Sequence, residues 1–138
     1  MAHHVLIVDA DASAAQVTAA GVMRALPDAS LTIVPSPERG RSSLRCLQPD
    51  VLIVDPSPHT LAAMALIRLV KAEYLACCVV VLTSAPRPVL RRDLMRLGVD
   101  VYVEKPAPLE LLIQQLRAVT QETPLHAPVP VFAHETAY

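Results

Sequence analysis

Short runs of aliphatic and β-branched residues alternate along the chain with longer stretches that have helical spacing. The short runs are apolar at consecutive positions, which is typical of strands buried on both faces of a parallel sheet. They predict five strands, at residues 5–8, 31–34, 51–54, 79–82 and 101–103. The longer stretches predict five helices, at residues 13–26, 37–47, 60–73, 89–97 and 108–121.

This alternation predicts a doubly wound α/β domain, in which crossover helices cover both faces of a five-stranded parallel sheet. Turn residues support the boundaries: Pro27 and Asp28 follow the first helix, and Gly98 stands where the fourth helix needs a closing glycine. The periodic pattern stops near residue 123, where prolines interrupt a weakly apolar segment. We therefore expect a domain over residues 1–121 and a proline-containing tail over residues 122–138.

Composition narrows the function classes. The 138 residues are 53% apolar and 18% charged, with a formal net charge of −1, which fits one globular domain and argues against a basic surface for direct DNA binding. No apolar run approaches the roughly 20 residues of a membrane span, and the N-terminus does not resemble a signal peptide. Three cysteines are too few for a disulfide framework. We expect a reduced, cytoplasmic protein that does not enter a membrane.

Polar residues follow four of the predicted strands. Asp9 ends the first, Asp55 the third, Thr83 the fourth, and Lys105 follows the fifth, with Asp11 just beyond Asp9. The carboxyl ends of parallel strands meet at one edge of the sheet, where ligands of such folds bind. Close carboxylates repel each other unless a cation joins them, and sparse oxygen ligands suit Mg²⁺. A nucleophilic carboxylate beside a hard cation and a lysine is a candidate phosphoryl acceptor.

These segments, at these intervals, resemble the receiver domain of two-component response regulators. Asp55 follows Asp9 by 46 residues, Thr83 follows Asp55 by 28, and Lys105 follows Thr83 by 22, immediately before Pro106. The resemblance covers residues 4 to 121. It implies a flavodoxin-like fold with strand order 2-1-3-4-5 and a stand-alone signalling switch rather than an enzyme.

The resemblance also implies roles for individual residues. Asp55 would accept the phosphoryl group from a sensor histidine kinase or a phosphotransfer protein, and Lys105 would bind a phosphoryl oxygen. Thr83 and Tyr102 would form the switch that responds to phosphorylation. Mg²⁺ would be held by Asp9, by Asp55 and by the backbone carbonyl of Ser57. The signal would pass to a downstream protein target.

One position departs from the receiver pattern. Receivers usually carry two adjacent acids after the first strand, and the second position is Ala10 here. We therefore expect weaker Mg²⁺ binding, with Asp11 as a substitute ligand. The alternative function is a degenerate pseudo-receiver that acts as a phosphorylation-independent protein-interaction module.

Several residues also have structural interpretations. Asp9 is a candidate N-cap for the first helix, and Lys105 is a candidate surface-turn residue. Cys77 and Cys78 are expected to be small core residues, and His59 a solvated loop residue. A flavodoxin-like or phosphatase-like enzyme is the last alternative, because three glycines cannot form a phosphate-cradling loop.

The fourth predicted helix is rich in arginine, at positions 87, 91, 92 and 96. Arginines there are expected to form a solvated face. A second hypothesis is that they pair across a homodimer with Asp100, Glu104 and Glu110, through the face of the fourth helix, fifth strand and fifth helix.

Overall fold

The computed structural model describes residues 3–85, 87–105 and 108–120. Its strands are β1 (His4–Val8), β2 (Ser30–Val34), β3 (Val51–Val54), β4 (Cys78–Thr83) and β5 (Val101–Glu104). Its helices are α1 (Ala12–Ala25), α2 (Pro37–Leu47), α3 (Thr60–Glu73), α4 (Pro88–Arg96) and α5 (Leu109–Thr120). The predicted tail at residues 122–138 lies outside the described residues.

All five strands are parallel and lie in the order β2-β1-β3-β4-β5, as expected. The chain therefore has the doubly wound α/β fold. The predicted elements differ from the observed ones only at their ends. β4 shows the largest difference among the strands, since it extends to Cys78 and Thr83.

Alternate residues of each central strand enter two separate apolar layers. Leu6 of β1 and Leu52 of β3 pack on the side that also holds buried residues of α2, α3 and α4. Ile7 and Ile53 pack on the opposite side, with buried residues of α1 and α5. Because both faces of these strands are covered, their sequences are apolar at every position.

The edge strand β2 is less buried than the central strands. Leu31 and Thr32 are half-buried and Ile33 is exposed, since only one neighbouring strand and partial helix cover protect them. Of the residues of β2, only Val34 is buried, and it lies at the carboxyl end of the strand.

Helix ends follow the capping residues in the sequence. The Ser36 hydroxyl accepts a hydrogen bond from the Arg39 backbone N–H at the start of α2, where Pro37 occupies the first turn. Gly98 has a φ of +99° just after α4, the left-handed conformation that favours glycine at this position. In the described part of the chain, no helix is long and apolar enough to cross a membrane.

Candidate functional site

Asp9 and Asp55 occupy equivalent positions at the carboxyl ends of β1 and β3. Both carboxylates are almost fully buried, with side chains 5% exposed. Oδ1 of Asp9 accepts a hydrogen bond from the Asp11 backbone N–H at 2.9 Å, and Oδ1 of Asp55 accepts one from the Ser57 backbone N–H at 3.0 Å. In both turns a backbone N–H thus binds Oδ1 of the carboxylate, and Oδ2 is left for contacts across the edge of the sheet.

Lys105 joins the two carboxylates. Its Nζ atom lies 3.1 Å from Oδ2 of Asp9 and 3.0 Å from Oδ2 of Asp55. Its backbone N–H donates to the Thr83 carbonyl at 2.7 Å, which continues the pairing of β4 and β5 and fixes where the side chain starts. One ammonium thus attracts two buried carboxylates, and it offsets part of the repulsion between them.

The surroundings of Lys105 act on its pKa in opposite directions. Burial lowers the pKa because it penalises the charged form. The hydrogen bond and charge of Asp55, followed by those of Asp9, outweigh that effect and raise the pKa above its ordinary value. Lys105 is therefore a cation at neutral pH.

Two adjacent hydroxyls, one on the last residue of β4 and one on the residue after it, have different partners. Thr83 is fully buried, and its Oγ1 accepts a hydrogen bond from the Ala85 backbone N–H at 3.1 Å. Ser84 Oγ lies 3.1 Å from Oδ2 of Asp55. The hydroxyl on the candidate acceptor is thus the one that the sequence analysis did not single out.

Solved structures similar to this one are receiver domains. The signal receiver domain of a DNA-binding response regulator from Colwellia psychrerythraea has a TM-score of 0.77 and 19% identity, over 85% of this chain and 97% of that chain. A signal receiver domain of a two-component histidine kinase from Clostridium thermocellum has a TM-score of 0.78 and 18% identity, over 86% and 98%. A chemotaxis response regulator of Vibrio cholerae has a TM-score of 0.74 and 18% identity, over 86% and 99%.

The chain has the fold of a response regulator receiver domain. No protein-family model and no curated protein matches the sequence. At such low identity the likeness establishes the fold, whereas the chemistry rests on the residues at the sheet edge.

The receiver fold implies a divalent cation, and the donors at this edge fit one in type. Asp9 and Asp55 supply hard carboxylate oxygens, and Ser57 has a main-chain carbonyl nearby in sequence, a set suited to Mg²⁺ that keeps several water ligands. Among the residues described by the structure, no group of three or more His, Cys, Asp or Glu side chains is placed to hold a metal ion. The oxygen donors at this edge are therefore of the type that Mg²⁺ prefers, but only two of them are carboxylate side chains.

Asp11, the expected substitute ligand, has another role in the structure. Its Oδ1 accepts hydrogen bonds from the backbone N–H groups of Ser13 and Ala14, so it is the N-cap of α1. The capping interpretation considered for Asp9 thus belongs to Asp11. Ala10, between these two acids, is exposed.

Tyr102, the expected switch aromatic of the receiver fold, is buried against α4. The guanidinium of Arg91 lies over its ring, 5.8 Å from the centroid, at a distance typical of a cation–π contact. Burial, and then the charge of Glu104, raise the pKa of Tyr102, while Arg91 lowers it. Spacing alone did not identify Arg91 as a neighbour of Tyr102.

Other expectations concern residues away from the carboxylates. His59 is exposed at the start of α3 and makes no capping hydrogen bond through its side chain. Asp100 and Glu110, expected partners in a dimer, pair within the chain with Lys71 and Arg24 at 3.1 and 3.2 Å. The dimer stays a prediction. Two of the three acidic residues expected to pair across it form ion pairs within the chain instead.

Proposed function

We propose that this chain is a phosphoacceptor receiver of two-component signalling, which takes a phosphoryl group on Asp55 and signals to a partner protein. The donor would be a sensor histidine kinase or a phosphotransfer protein. The observation that supports this most directly is the contact of 3.0 Å between Lys105 Nζ and the Asp55 carboxylate, at the carboxyl edge of a receiver-type sheet.

The reaction is a transfer between two nucleophiles. A carboxylate oxygen of Asp55 attacks the phosphorus of a phosphohistidine on the partner, and the phosphorus–nitrogen bond breaks. The electron pair of that bond returns to the imidazole, and Asp55 becomes an acyl phosphate. Asp55 is suited to this role because its side chain is held at both oxygens by Ser57, Ser84 and Lys105.

Lys105 supplies the fixed positive charge of the site. Before transfer it attracts both Asp9 and Asp55, and afterwards it is close enough to Asp55 to offset part of the charge of the phosphoryl group attached there. Asp9, Asp55 and the Ser57 carbonyl are the residues that would hold Mg²⁺, which would neutralise phosphoryl charge when bound. We expect no turnover of a separate substrate.

The output is expected to be exerted on another protein. The face formed by α4, β5 and α5, which surrounds the buried Tyr102, is the proposed docking surface. Onward transfer of the phosphoryl group in a relay is the other route. In both routes the response takes place on another protein.

The experiment that tests acceptance uses a small phosphodonor. The protein is incubated with acetyl phosphate and Mg²⁺, and its intact mass is measured before and after treatment with hydroxylamine, which cleaves acyl phosphates. Wild type and Asp28→Asn, which changes an exposed carboxylate, should each gain one labile phosphoryl group, and Asp55→Asn should gain none. Equal labelling of Asp55→Asn would contradict the assignment.

A pseudo-receiver is the second candidate, and the region after β1 favours it. Ala10 stands where receivers usually have an acid, and the Asp11 carboxylate caps α1. A pseudo-receiver would take no phosphoryl group in this experiment, and Mg²⁺ would leave its melting temperature unchanged. The two candidates therefore give opposite results with the same wild-type sample.

A further inference from the structure

The outward face of α3 is apolar, whereas a helix on the surface of a domain normally carries polar residues on that face. Leu61, Ala65, Arg68 and Ala72 follow one another there at helical spacing, and Leu75 lies in the turn just after the helix. These five residues are called the α3 stripe. Its two leucines are the most exposed large apolar side chains of the described residues, at 82% and 81%. The other face of α3 is the one that packs on the sheet, through Ala63, Leu66, Ile67 and Val70.

The chain leaves α5 close to one end of the α3 stripe. The carbonyl oxygen of Val119, one residue before the end of α5, lies 3.5 Å from the sulfur of Cys78 at the start of β4. The backbone N–H of the neighbouring Cys77 donates to the carbonyl oxygen of Tyr74 at 2.9 Å, directly before Leu75. The chain that follows α5 can therefore reach Leu75 within a few residues.

The sequence after α5 has the length and the character to cover the α3 stripe. Residues 123–134 contain no Asp, Glu, Lys or Arg, and their large apolar side chains fall from Leu125 to Phe132. Prolines at 124, 128 and 130 favour an extended chain with a rise of about 3.1 Å per residue, so Leu125 to Phe132 spans about 22 Å. At the rise of an α-helix, Leu61 to Leu75 spans about 21 Å. The two lengths match.

The α3 stripe is too small to hold a second copy of the chain by itself. At about 21 Å long and about 10 Å wide it offers on the order of 200 Å², against about 800 Å² per partner in a stable interface of standard size. A segment of the same chain needs less area, because its tether keeps it at a high local concentration. Arg68 is the one charged residue of the stripe, and its long side chain can carry the guanidinium past a covering segment to solvent.

We propose that residues 125–132 dock along the α3 stripe, with Leu125 beside Leu75 and Phe132 beside Leu61. The segment runs antiparallel to α3, because it starts where the helix ends. Docking removes apolar side chains of both the stripe and the segment from water, which is the source of its stability. The inference does not depend on the proposed phosphoacceptor function.

Tryptophan fluorescence of the full chain tests the proposal, because the sequence contains no Trp. Phe132→Trp and Leu125→Trp each place a single indole in the segment, and quenching by acrylamide measures the exposure of that indole. Both indoles should be quenched less than N-acetyltryptophanamide in the same buffer. The quenching should also be the same at low and high protein concentration, because the contact is within one chain.

Substitutions on the α3 stripe identify the docking surface. In the Phe132→Trp protein, Leu61→Gln should lower the ratio of docked to undocked chains about tenfold, because the contact loses one large apolar side chain. In the Leu125→Trp protein, Leu75→Gln should have the same effect. Val17→Gln is the matched control, since Val17 is 67% exposed on α1 in the other layer, and it should leave the quenching unchanged. Melting temperatures establish that each variant is folded.

Other results overturn the inference. If both indoles are quenched as strongly as N-acetyltryptophanamide, residues 125–132 do not dock. Protection that survives Leu61→Gln and Leu75→Gln, or that Val17→Gln also abolishes, places the segment on another surface. Protection that grows with protein concentration means that a second copy of the chain covers the stripe. None of these results bears on phosphoryl transfer, which the acetyl phosphate experiment tests separately.

Discussion

The Lys105 ammonium lies 3.0 Å from Oδ2 of Asp55, and the same nitrogen lies 3.1 Å from Oδ2 of Asp9. Two carboxylates that are 5% exposed thus depend on one cation at the edge of the sheet. Removal of that cation leaves two buried negative charges close together, which is much less favourable than loss of a surface ion pair.

Lys105→Met should therefore destabilise the fold by about 3 kcal/mol, at the lower end for breaking a buried pair. Urea unfolding at pH 7 measures this. Lys71→Met is the matched control, because the Lys71–Asp100 pair is more exposed and lies at the opposite end of the sheet. A cost for Lys105→Met no larger than that for Lys71→Met would contradict the prediction.

The raised pKa of Lys105 also sets where this stabilisation is lost. The folded state holds the proton more tightly than the unfolded state, whose lysine has the ordinary value of 10.5. The contribution is therefore complete at neutral pH and is lost only as the pH rises above about 10.5.

Sequence reasoning placed Asp9, Asp55 and Lys105 at one edge of the sheet because strand ends are well determined here. Runs such as residues 51–54, buried on both faces, end sharply at Asp55, and parallel topology brings that end beside Asp9 and Lys105. The edge strand β2 was also found, even though Ile33 is exposed, since its run remained apolar and β-branched.

Side-chain direction was not predictable in the same way. The sequence Thr83-Ser84 places two hydroxyls at the edge, and only the turn geometry decides which one meets Asp55. Asp11 was likewise compatible with a ligand and with a cap, because both roles use the same carboxylate immediately before a helix. Which partner each side chain contacts depends on local backbone angles, and the spacing of apolar residues does not predict those angles.

The capping role of Asp11 gives a prediction that separates stability from metal binding. Asp11→Ala should lower stability by about 1 kcal/mol because α1 loses its N-cap, and Asp11→Ser should retain most of it because serine caps well. Neither change should weaken Mg²⁺ binding, measured by calorimetry. A loss of Mg²⁺ affinity in Asp11→Ser, with stability retained, would make Asp11 a metal ligand.

The adjacent thiols give a pH dependence. Burial, and then the charge of Cys78, raises the pKa of Cys77 from 9.0 to about 12, and burial followed by Asp100 raises the pKa of Cys78 to about 11. The folded state therefore binds more protons than the unfolded state above pH 9, so stability should fall as the pH rises from 9 to 10. Each thiol contributes about 1.4 kcal/mol per pH unit at most.

Denaturant unfolding at pH 8, 9 and 10 checks this sign. The double variant Cys77→Ala, Cys78→Ala should show a smaller fall than wild type, and Cys46→Ala should behave as wild type because Cys46 is exposed. An equal fall in all three proteins would assign the pH dependence to other groups.

We expect Ala10 to limit how strongly the site can hold Mg²⁺. Its exposed position beside Asp9 means that Ala10→Asp adds an anion near Asp9 and Asp55, which already share a single ammonium. Without Mg²⁺ this added repulsion should lower the melting temperature. With Mg²⁺ the additional oxygen ligand should strengthen binding, and a ligand bound only by the folded state stabilises it by mass action.

Melting temperatures of wild type, Ala10→Asp and Ala10→Asn, each with and without Mg²⁺, test both effects together. Ala10→Asn has nearly the shape of the aspartate without its charge, so it should melt close to wild type without Mg²⁺ and gain much less than Ala10→Asp when Mg²⁺ is added. We expect Ala10→Asp to melt below wild type without Mg²⁺ and above wild type with Mg²⁺. The added carboxylate is repelled by its neighbours in the metal-free protein, whereas it is a ligand when Mg²⁺ is bound. If Ala10→Asp melts as wild type does in both conditions, another group already completes the coordination, and the inferred weakness of the metal site is wrong.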